Sequence, residues 1–241
     1  MHNKNQHVTL RILRFKPGQI DPPRFQNYTV SVEADVDPTI LDCLEEIRLN
    51  QDPTLVYRHS CHHSSCGTCA CQINGIPRLA CTTQLRQLPT DQVISLEPLK
   101  GFACIADLAV NMDVLFKDID PLWSGLKIDE PDAGTSPQGI QTWQRLEDCI
   151  ECGCCISACP KMHAGNRFIG PAALTAINRE CTKSPGSRKK LLALAGGDRG
   201  VDKCKRVLAC SRVCPTRVYP SRHIEDLRRH LKNLIANKLL K

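Results

Sequence analysis

Cys149–Pro160 reads C-I-E-C-G-C-C-I-S-A-C-P. Cys149, Cys152 and Cys155 stand three apart, and Cys159 follows after three further residues, directly before Pro160. This is the C-x2-C-x2-C-x3-C-P run that wraps cubane iron–sulfur clusters. The spacing has a physical cause. Three thiolates a helical turn apart converge on three iron corners of one cube. The fourth lies too far along the chain to reach it, and in two-cluster ferredoxins it ligates the other cluster.

The run returns 55 residues later. Cys204, Cys210, Cys214 and Pro215 fall at the repeat positions of Cys149, Cys155, Cys159 and Pro160, while Val207 stands where the second cysteine is due. Crossed ligation then gives one cluster Cys149, Cys152, Cys155 and Cys214, and the other Cys159, Cys204 and Cys210. Four thiolates predict a [4Fe-4S] centre. Three thiolates beside a valine that cannot bind iron predict a [3Fe-4S] centre. Zinc sites, which pair two short knuckles, do not explain two runs in register with a proline after each.

A second cysteine pattern lies upstream, C61-H-H-S-S-C66-G-T-C69 with Cys81 further on. C-x4-C-x2-C with a distant fourth cysteine is the plant-type [2Fe-2S] spacing. Ser64, Ser65, Gly67 and Thr68 are small enough to let backbone N–H groups approach sulfur. Cys71 is the rival third ligand. Cys69 is preferred on spacing and because Cys71 is expected to open a strand. His59, His62 and His63 raise a Rieske-type alternative, but all four cysteines are present. These histidines are expected to hydrogen-bond, face solvent or meet a partner.

Around these motifs the chain predicts two domains, residues 1–103 and 104–241. His7–Phe15 and Tyr28–Ala34 alternate apolar and polar residues and read as a hairpin of two strands, with turn chemistry at Pro17–Pro23. Asp37-Pro38-Thr39 opens a helix with Ile40, Leu41, Leu44 and Ile47 on one face, ended by Asp52-Pro53. Cys43 is a core residue of that helix. Cys71–Ile73, Ile76–Ala80 and Val93–Glu97 read as later strands. In the second half, Asp107–Lys117 reads as an amphipathic helix and Asp129–Gly139 as an irregular connector. Pro171–Arg179 begins a helix, and Gly196–Gly200 is a loop without a phosphate-binding register. A last helix from Pro220 carries Ile224, Leu227, Leu231, Leu234 and Ile235 on its apolar face, with Arg228, Arg229, Lys232 and Lys238 mostly off it. Cys104, Cys154 and Cys181 have no ligand role by spacing. The fold class is α+β: an N-terminal β-grasp plant-type ferredoxin domain, then an all-α bacterial-type two-cluster ferredoxin domain.

The composition narrows the function. Sixteen cysteines in 241 residues are too many for ordinary usage, in a chain too long for a small disulfide scaffold. With no signal peptide legible at Met1–Gln6, they imply a reducing, cytoplasmic setting. No apolar run reaches the length of a membrane span, so membrane attachment is expected through a partner. The net charge of +7 comes without a long basic block, and ten aromatic residues form no stacking platform. No nucleic-acid partner is expected. There is no dinucleotide fold, acid pair or nucleophile constellation, so the chain reads as a conduit and not as a complete enzyme.

The order of motifs, C-x4-C-x2-C-x11-C, C-x2-C-x-C-C-x3-C-P and C-x5-C-x3-C-P, together with Phe168-Ile169-Gly170-Pro171-Ala172, resembles the iron–sulfur subunit of the succinate dehydrogenase and fumarate reductase family over nearly the whole chain. The resemblance implies a flavoprotein partner with covalently bound FAD that interconverts succinate and fumarate. It also implies a membrane anchor, haem-bearing or haem-free, and a quinone between anchor and this subunit. Electrons pass from flavin through [2Fe-2S], [4Fe-4S] and [3Fe-4S] to quinone, at the cytoplasmic face of the cell membrane. The family's quinone-contact positions fall here on Pro160 and Lys161, where members often carry a serine and a nearby tryptophan after the proline, and on Lys205, where they often carry histidine. The alternative is the same cluster module serving a dehydrogenase or fumarate reductase with a non-quinone acceptor.

Overall fold

The structure, a computed structural model, describes residues 6–33, 36–89, 92–120, 149–165, 167–183 and 185–239. The connector expected at Asp129–Gly139 lies outside them. The chain divides into two compact units. One comprises Met1–Met112 with Ile150–Ala158, the other Asp113–Cys149 with Cys159–Lys241.

The first unit is built on β1 (Gln6–Lys16) and β2 (Ile20–Val32), which pair antiparallel with Val8 opposite Val30 and Leu10 opposite Tyr28. The helix α1 (Ile40–Asn50) follows, then β3 (Ala70–Ile73), β4 (Ile76–Leu79) and β5 (Ile94–Glu97). The sheet order is β2-β1-β5-β3-β4, with β1 and β5 parallel and the other neighbours antiparallel. Alternation along β1 buries Val8, Leu10 and Ile12, as a sheet with one face on a core requires. Thr39 caps α1: its hydroxyl accepts from the Asp42 N–H at 3.2 Å, and Asp42 accepts from the Thr39 N–H at 2.7 Å. The helix buries Ile40, Leu41, Cys43, Leu44 and Ile47, the four aliphatic side chains each contributing roughly 1.5–3 kcal/mol of transfer free energy.

Two sequence expectations change here. Ile20–Val32 is one strand, although Pro22 and Pro23 suggest a turn. β2 is an edge strand, and Pro22 and Pro23 lie where its register with β1 shifts between Arg14 and Lys16, so neither stands at a paired position. Asp107–Lys117 is not one helix. A hairpin forms instead from β6 (Cys104–Ala106) and β7 (Ala109–Val110), and only the single-turn α2 (Asp113–Phe116) is helical. Asp107, Leu108, Ala109 and Val110 are all buried, a run without the spacing of a helix face. Asp107 has a left-handed backbone, φ 44°, and its carboxylate accepts from the N–H groups of Phe15 at 2.9 Å and Val56 at 2.8 Å. Those two long-range bonds hold the chain out of a helix at that point.

Arg14 continues the buried alternation of β1 as a charge. Its guanidinium pairs with Asp52 and Tyr28, with Asp107 at 3.0 Å and with Thr54 at 3.1 Å. Burial opposes the Arg14 charge, but Asp107 and Asp52 outweigh it and hold its pKa above the ordinary value. The Asp52 carboxyl is likewise desolvated, yet bonds from Thr54, Tyr28 and Arg14 hold it well below the usual carboxylate range.

The second unit is helical. The single-turn α3 (Cys154–Ser157) belongs to the first unit. The second contains α2, α4 (Pro160–His163), α5 (Gly170–Lys183), α6 (Arg188–Ala195), α7 (Ala209–Arg212) and α8 (Pro220–Leu239). Its core joins Phe168, Leu174, Ile177 and Cys181 to Leu191, Leu192, Ile224 and Leu227, with Cys159 and Cys204 packed at its edge. α6 was not legible in the sequence: a basic run and a glycine cluster flank just two turns, held by Leu191, Leu192 and Ala195. On α8 the apolar face ends earlier than expected. Leu234 is exposed, and the side chain of Ile235 lies outside the described set. Arg228, placed mostly off that face by the sequence, is buried instead. Its Nη2 donates to the carbonyls of Val201 and Cys204, the latter at 2.9 Å. Among the described residues no helix is long and apolar enough to cross a membrane.

Candidate iron–sulfur centres

In the first unit the loop from Cys61 to Cys69 curls because His62, Ser64 and Gly67 take left-handed backbone conformations. That curl turns N–H groups toward sulfur. Cys61 Sγ accepts from the N–H groups of Ser65 and Cys66, both at 3.3 Å. The Ser65 side chain foremost, then the His63 backbone, pull the Cys61 thiol down to about 5, with Cys66 contributing less. A thiolate is what iron binds. Cys69 Sγ accepts from the Cys81 N–H at 3.5 Å, which brings those two positions together across the start of β3. Burial pushes the Cys69 thiol up to about 12. Cys71 is on β3 itself, buried, and pushed up to about 12 by desolvation.

The donor set fits a cluster. Arg58, three residues before Cys61, has buried Nε and Nη2 atoms with no hydrogen-bond partner in the protein, and its charge acts on Cys69. An orphaned guanidinium beside cluster cysteines has its natural acceptors in inorganic sulfide and thiolate sulfur. The sequence reading missed Arg58. Its only signal is position.

Gly67 meets the next cysteine segment. A Cβ on it would stand 2.4 Å from the Ile150 carbonyl oxygen and 2.9 Å from Cys152 Cβ. Ile150, Cys152 and Cys155 all belong to the same compact unit as this loop. Cys154 is fully buried on α3. Its thiol interacts with that of Cys152, lowering the Cys152 thiol and raising its own.

The two runs share a backbone. Glu151 and Gly153 are left-handed, and so are Arg206 and Leu208, at the same repeat positions. The single turns Cys154–Ser157 and Ala209–Arg212 also coincide in register. Val207 therefore occupies the place in its run that Cys152 occupies in the first.

In the second unit, Cys159, Cys204 and Cys210 act on one another electrostatically. Burial, then Cys159 and Cys204, pushes the Cys210 thiol up to about 11. Burial also raises the Cys159 thiol, against the N–H groups of Lys161 and Met162. Arg228 fixes the carbonyl of Cys204. Cys214 Sγ accepts from the Val218 N–H at 3.3 Å. Cys149 is exposed. Lys161 and Lys205 line one cleft of about 480 Å³ with Gly196, Gly197, Asp198, Asp202 and Lys203. Pro160 opens α4 at the first helical position, where its missing N–H costs nothing. His223, buried in the same unit, accepts from Asn178 at Nδ1 and donates from Nε2 to the Val218 carbonyl. It serves packing.

Comparison with known proteins agrees with this geometry. Residues 9–117 match the family model for a 2Fe-2S iron-sulfur cluster binding domain, and residues 145–218 match that for a 4Fe-4S dicluster domain. The chain is 34% identical to the succinate dehydrogenase iron-sulfur subunit of Coxiella burnetii over 227 residues, covering 92% of this chain and 95% of that one. It is 33% identical to the fumarate reductase iron-sulfur subunit of Wolinella succinogenes over 234 residues, covering 93% and 97%. A chain of the Mycobacterium smegmatis Sdh1 complex has the same fold, with a TM-score of 0.81 at 22% identity over 95% of this chain and 97% of that one. The protein belongs to the family of succinate dehydrogenase and fumarate reductase iron–sulfur subunits.

Proposed function

We propose that this chain conducts electrons between the FAD of a flavoprotein subunit that interconverts succinate and fumarate and a quinone held beside a membrane anchor. The observation that carries the reading is the contact of Gly67 with Ile150 and Cys152. It sets the loop of one candidate centre against the segment that carries two ligands of the next, as a one-electron relay needs. When bound, the clusters supply one-electron carriers at spaced positions. The protein's part is to place and tune them. Cys61, Cys66, Cys69 and Cys81 hold the [2Fe-2S] cluster, with Arg58 donating toward it. Cys149, Cys152, Cys155 and Cys214 hold the [4Fe-4S] cluster, with Cys154 buried beside Cys152. Cys159, Cys204 and Cys210 hold the [3Fe-4S] cluster, with Val207 at its ligand-free corner and Arg228 fixing the Cys204 backbone.

Lys161 and Lys205, which share a cleft, donate to a quinone carbonyl, with Pro160 setting the start of α4. The chain is peripheral, held on the cytoplasmic face of the cell membrane by its anchor, which is haem-bearing or haem-free. The test is purification of the native complex and assay of succinate oxidation and fumarate reduction with several quinones. Lys161→Leu and Lys205→Leu are expected to raise the quinone KM while succinate reduction of an artificial flavin-level acceptor is unchanged. An unchanged quinone KM in both variants would remove these lysines from the site.

A further inference from the structure

Three side chains outside the cysteine sets converge at one point of the first unit. Glu45 comes from α1, and His59 and His62 flank Cys61 in the loop. His59 Nδ1 lies 3.2 Å from His62 Nε2. Glu45 Oε1 lies 3.4 Å from His62 Nε2 and 3.7 Å from His59 Nδ1. The two imidazole planes meet at 73°.

The 3.2 Å between the two rings is within hydrogen-bond reach, so the Glu45 separations decide between an ion pair and a metal site. Charge-assisted hydrogen bonds from imidazolium to carboxylate run about 2.7–2.9 Å, and both Glu45 distances are longer. A tetrahedral ion with bonds of about 2.0–2.1 Å to nitrogen and oxygen spaces its ligand atoms about 3.3–3.4 Å apart. An octahedral ion with those bonds brings adjacent ligands to about 2.9 Å. The observed edges of 3.2, 3.4 and 3.7 Å all exceed the octahedral spacing and centre on the tetrahedral one. Its donors are two imidazole nitrogens and one carboxylate oxygen, a three-ligand set that leaves a fourth position for water. The side chains of Glu45, His59 and His62 are 33%, 32% and 43% exposed, so that position opens to solvent. His62 reaches the triangle from a left-handed backbone, φ 59°, a conformation unfavourable for a residue with a Cβ.

We propose that Glu45, His59 and His62 bind a divalent transition-metal ion of the zinc class, distinct from the clusters. The nitrogen-rich donor set selects against Ca2+ and Mg2+, which take oxygen. The ion ties α1 to the loop that carries Cys61. The site is independent of the quinone and flavin assignments above.

The test uses the full chain, prepared anaerobically with its clusters in place and freed of adventitious metal. It is titrated with Zn2+ by calorimetry, with Co2+ in parallel as the spectroscopic probe. One Zn2+ per chain beyond the iron is expected, with the paramagnetic signal of the reduced [2Fe-2S] cluster retained. Co2+ should give d–d bands of tetrahedral intensity without the strong sulfur-to-cobalt charge-transfer absorption of a thiolate site. His62→Ala should weaken binding by at least about 10–100-fold, the loss that even outer-shell changes bring. Glu45→Gln, on the helix and outside the cluster loop, should do the same where the loop variant fails to take up clusters. No stoichiometric Zn2+, equal binding in both variants, or thiolate charge-transfer bands with Co2+ would each overturn the site.

Discussion

Replacing Gly67 with alanine tests how the first cluster loop meets the next cysteine segment. Two effects add. Gly67 sits at φ +69°, where a Cβ costs roughly 1–2 kcal/mol. The new methyl would also stand 2.4 Å from the Ile150 carbonyl oxygen, a backbone atom that cannot swing aside, and 2.9 Å from Cys152 Cβ. Overpacking of this kind costs about 1–3 kcal/mol, so the sum is about 2–5 kcal/mol. Gly75 provides the control. It has φ +74° with nothing within 4 Å of a built Cβ, so Gly75→Ala carries only the conformational part, roughly 1–2 kcal/mol. Each kcal/mol lowers the melting midpoint by about 2–4 °C in a chain of this size class. The assay is thermal loss of the visible cluster absorption under anaerobic conditions, with the paramagnetic resonance of the reduced [2Fe-2S] cluster counted per chain. Gly67→Ala should melt lower than Gly75→Ala and lose cluster signal at rest. Equal midpoints and equal cluster content in the two variants would refute the contact.

Arg58→Leu should lower the [2Fe-2S] reduction potential by on the order of 50 mV, because a charged donor favours the reduced, more negative state; potentiometric titration checks this, and an unshifted potential removes Arg58 from the cluster's surroundings. Asp52→Asn should destabilise the first unit by about 1.5–3 kcal/mol, the loss of charged hydrogen bonds at a site where Arg14 keeps Asp107 as its partner, read by denaturant unfolding of the cluster-loaded chain. The folded Asp52 pKa is depressed, so its contribution is complete above the unfolded carboxylate value of about 3.9 and fades as pH falls below it. The variant should therefore show a shallower loss of stability in acid than the parent, and identical acid profiles would contradict the assignment.

Much of this was legible because the chemistry is local. Cluster runs are spaced by the cube they wrap, and β1 alternates because one of its faces lies on a core. The Asp37-Pro38-Thr39 start and Asp52-Pro53 stop bracket α1 closely. What escaped the sequence depends on distant partners. The β6–β7 hairpin follows from Asp107 bonding to Phe15 and Val56, which no window around residue 107 contains. Arg228 looks like one of several surface cations until Val201 and Cys204 offer it carbonyls. Arg58 and Cys154 earn their roles from burial beside sulfur, and neither has a motif of its own. The Glu45–His59–His62 triangle needs α1 and the loop brought together, while the histidines alone suggested a Rieske-type alternative, hydrogen bonding, solvent or a partner.

The central claim is that three unlike centres sit in this chain, the last an incomplete cube because Val207 replaces a cysteine. Paramagnetic resonance and iron analysis of the anaerobic chain before and after Val207→Cys test it most directly. The account predicts about nine irons per chain and an oxidised-state [3Fe-4S] signal in the parent, with that signal replaced by a reduced-state [4Fe-4S] signal in the variant. Zinc in place of iron and sulfide, or a complete second cube already present in the parent, would contradict it.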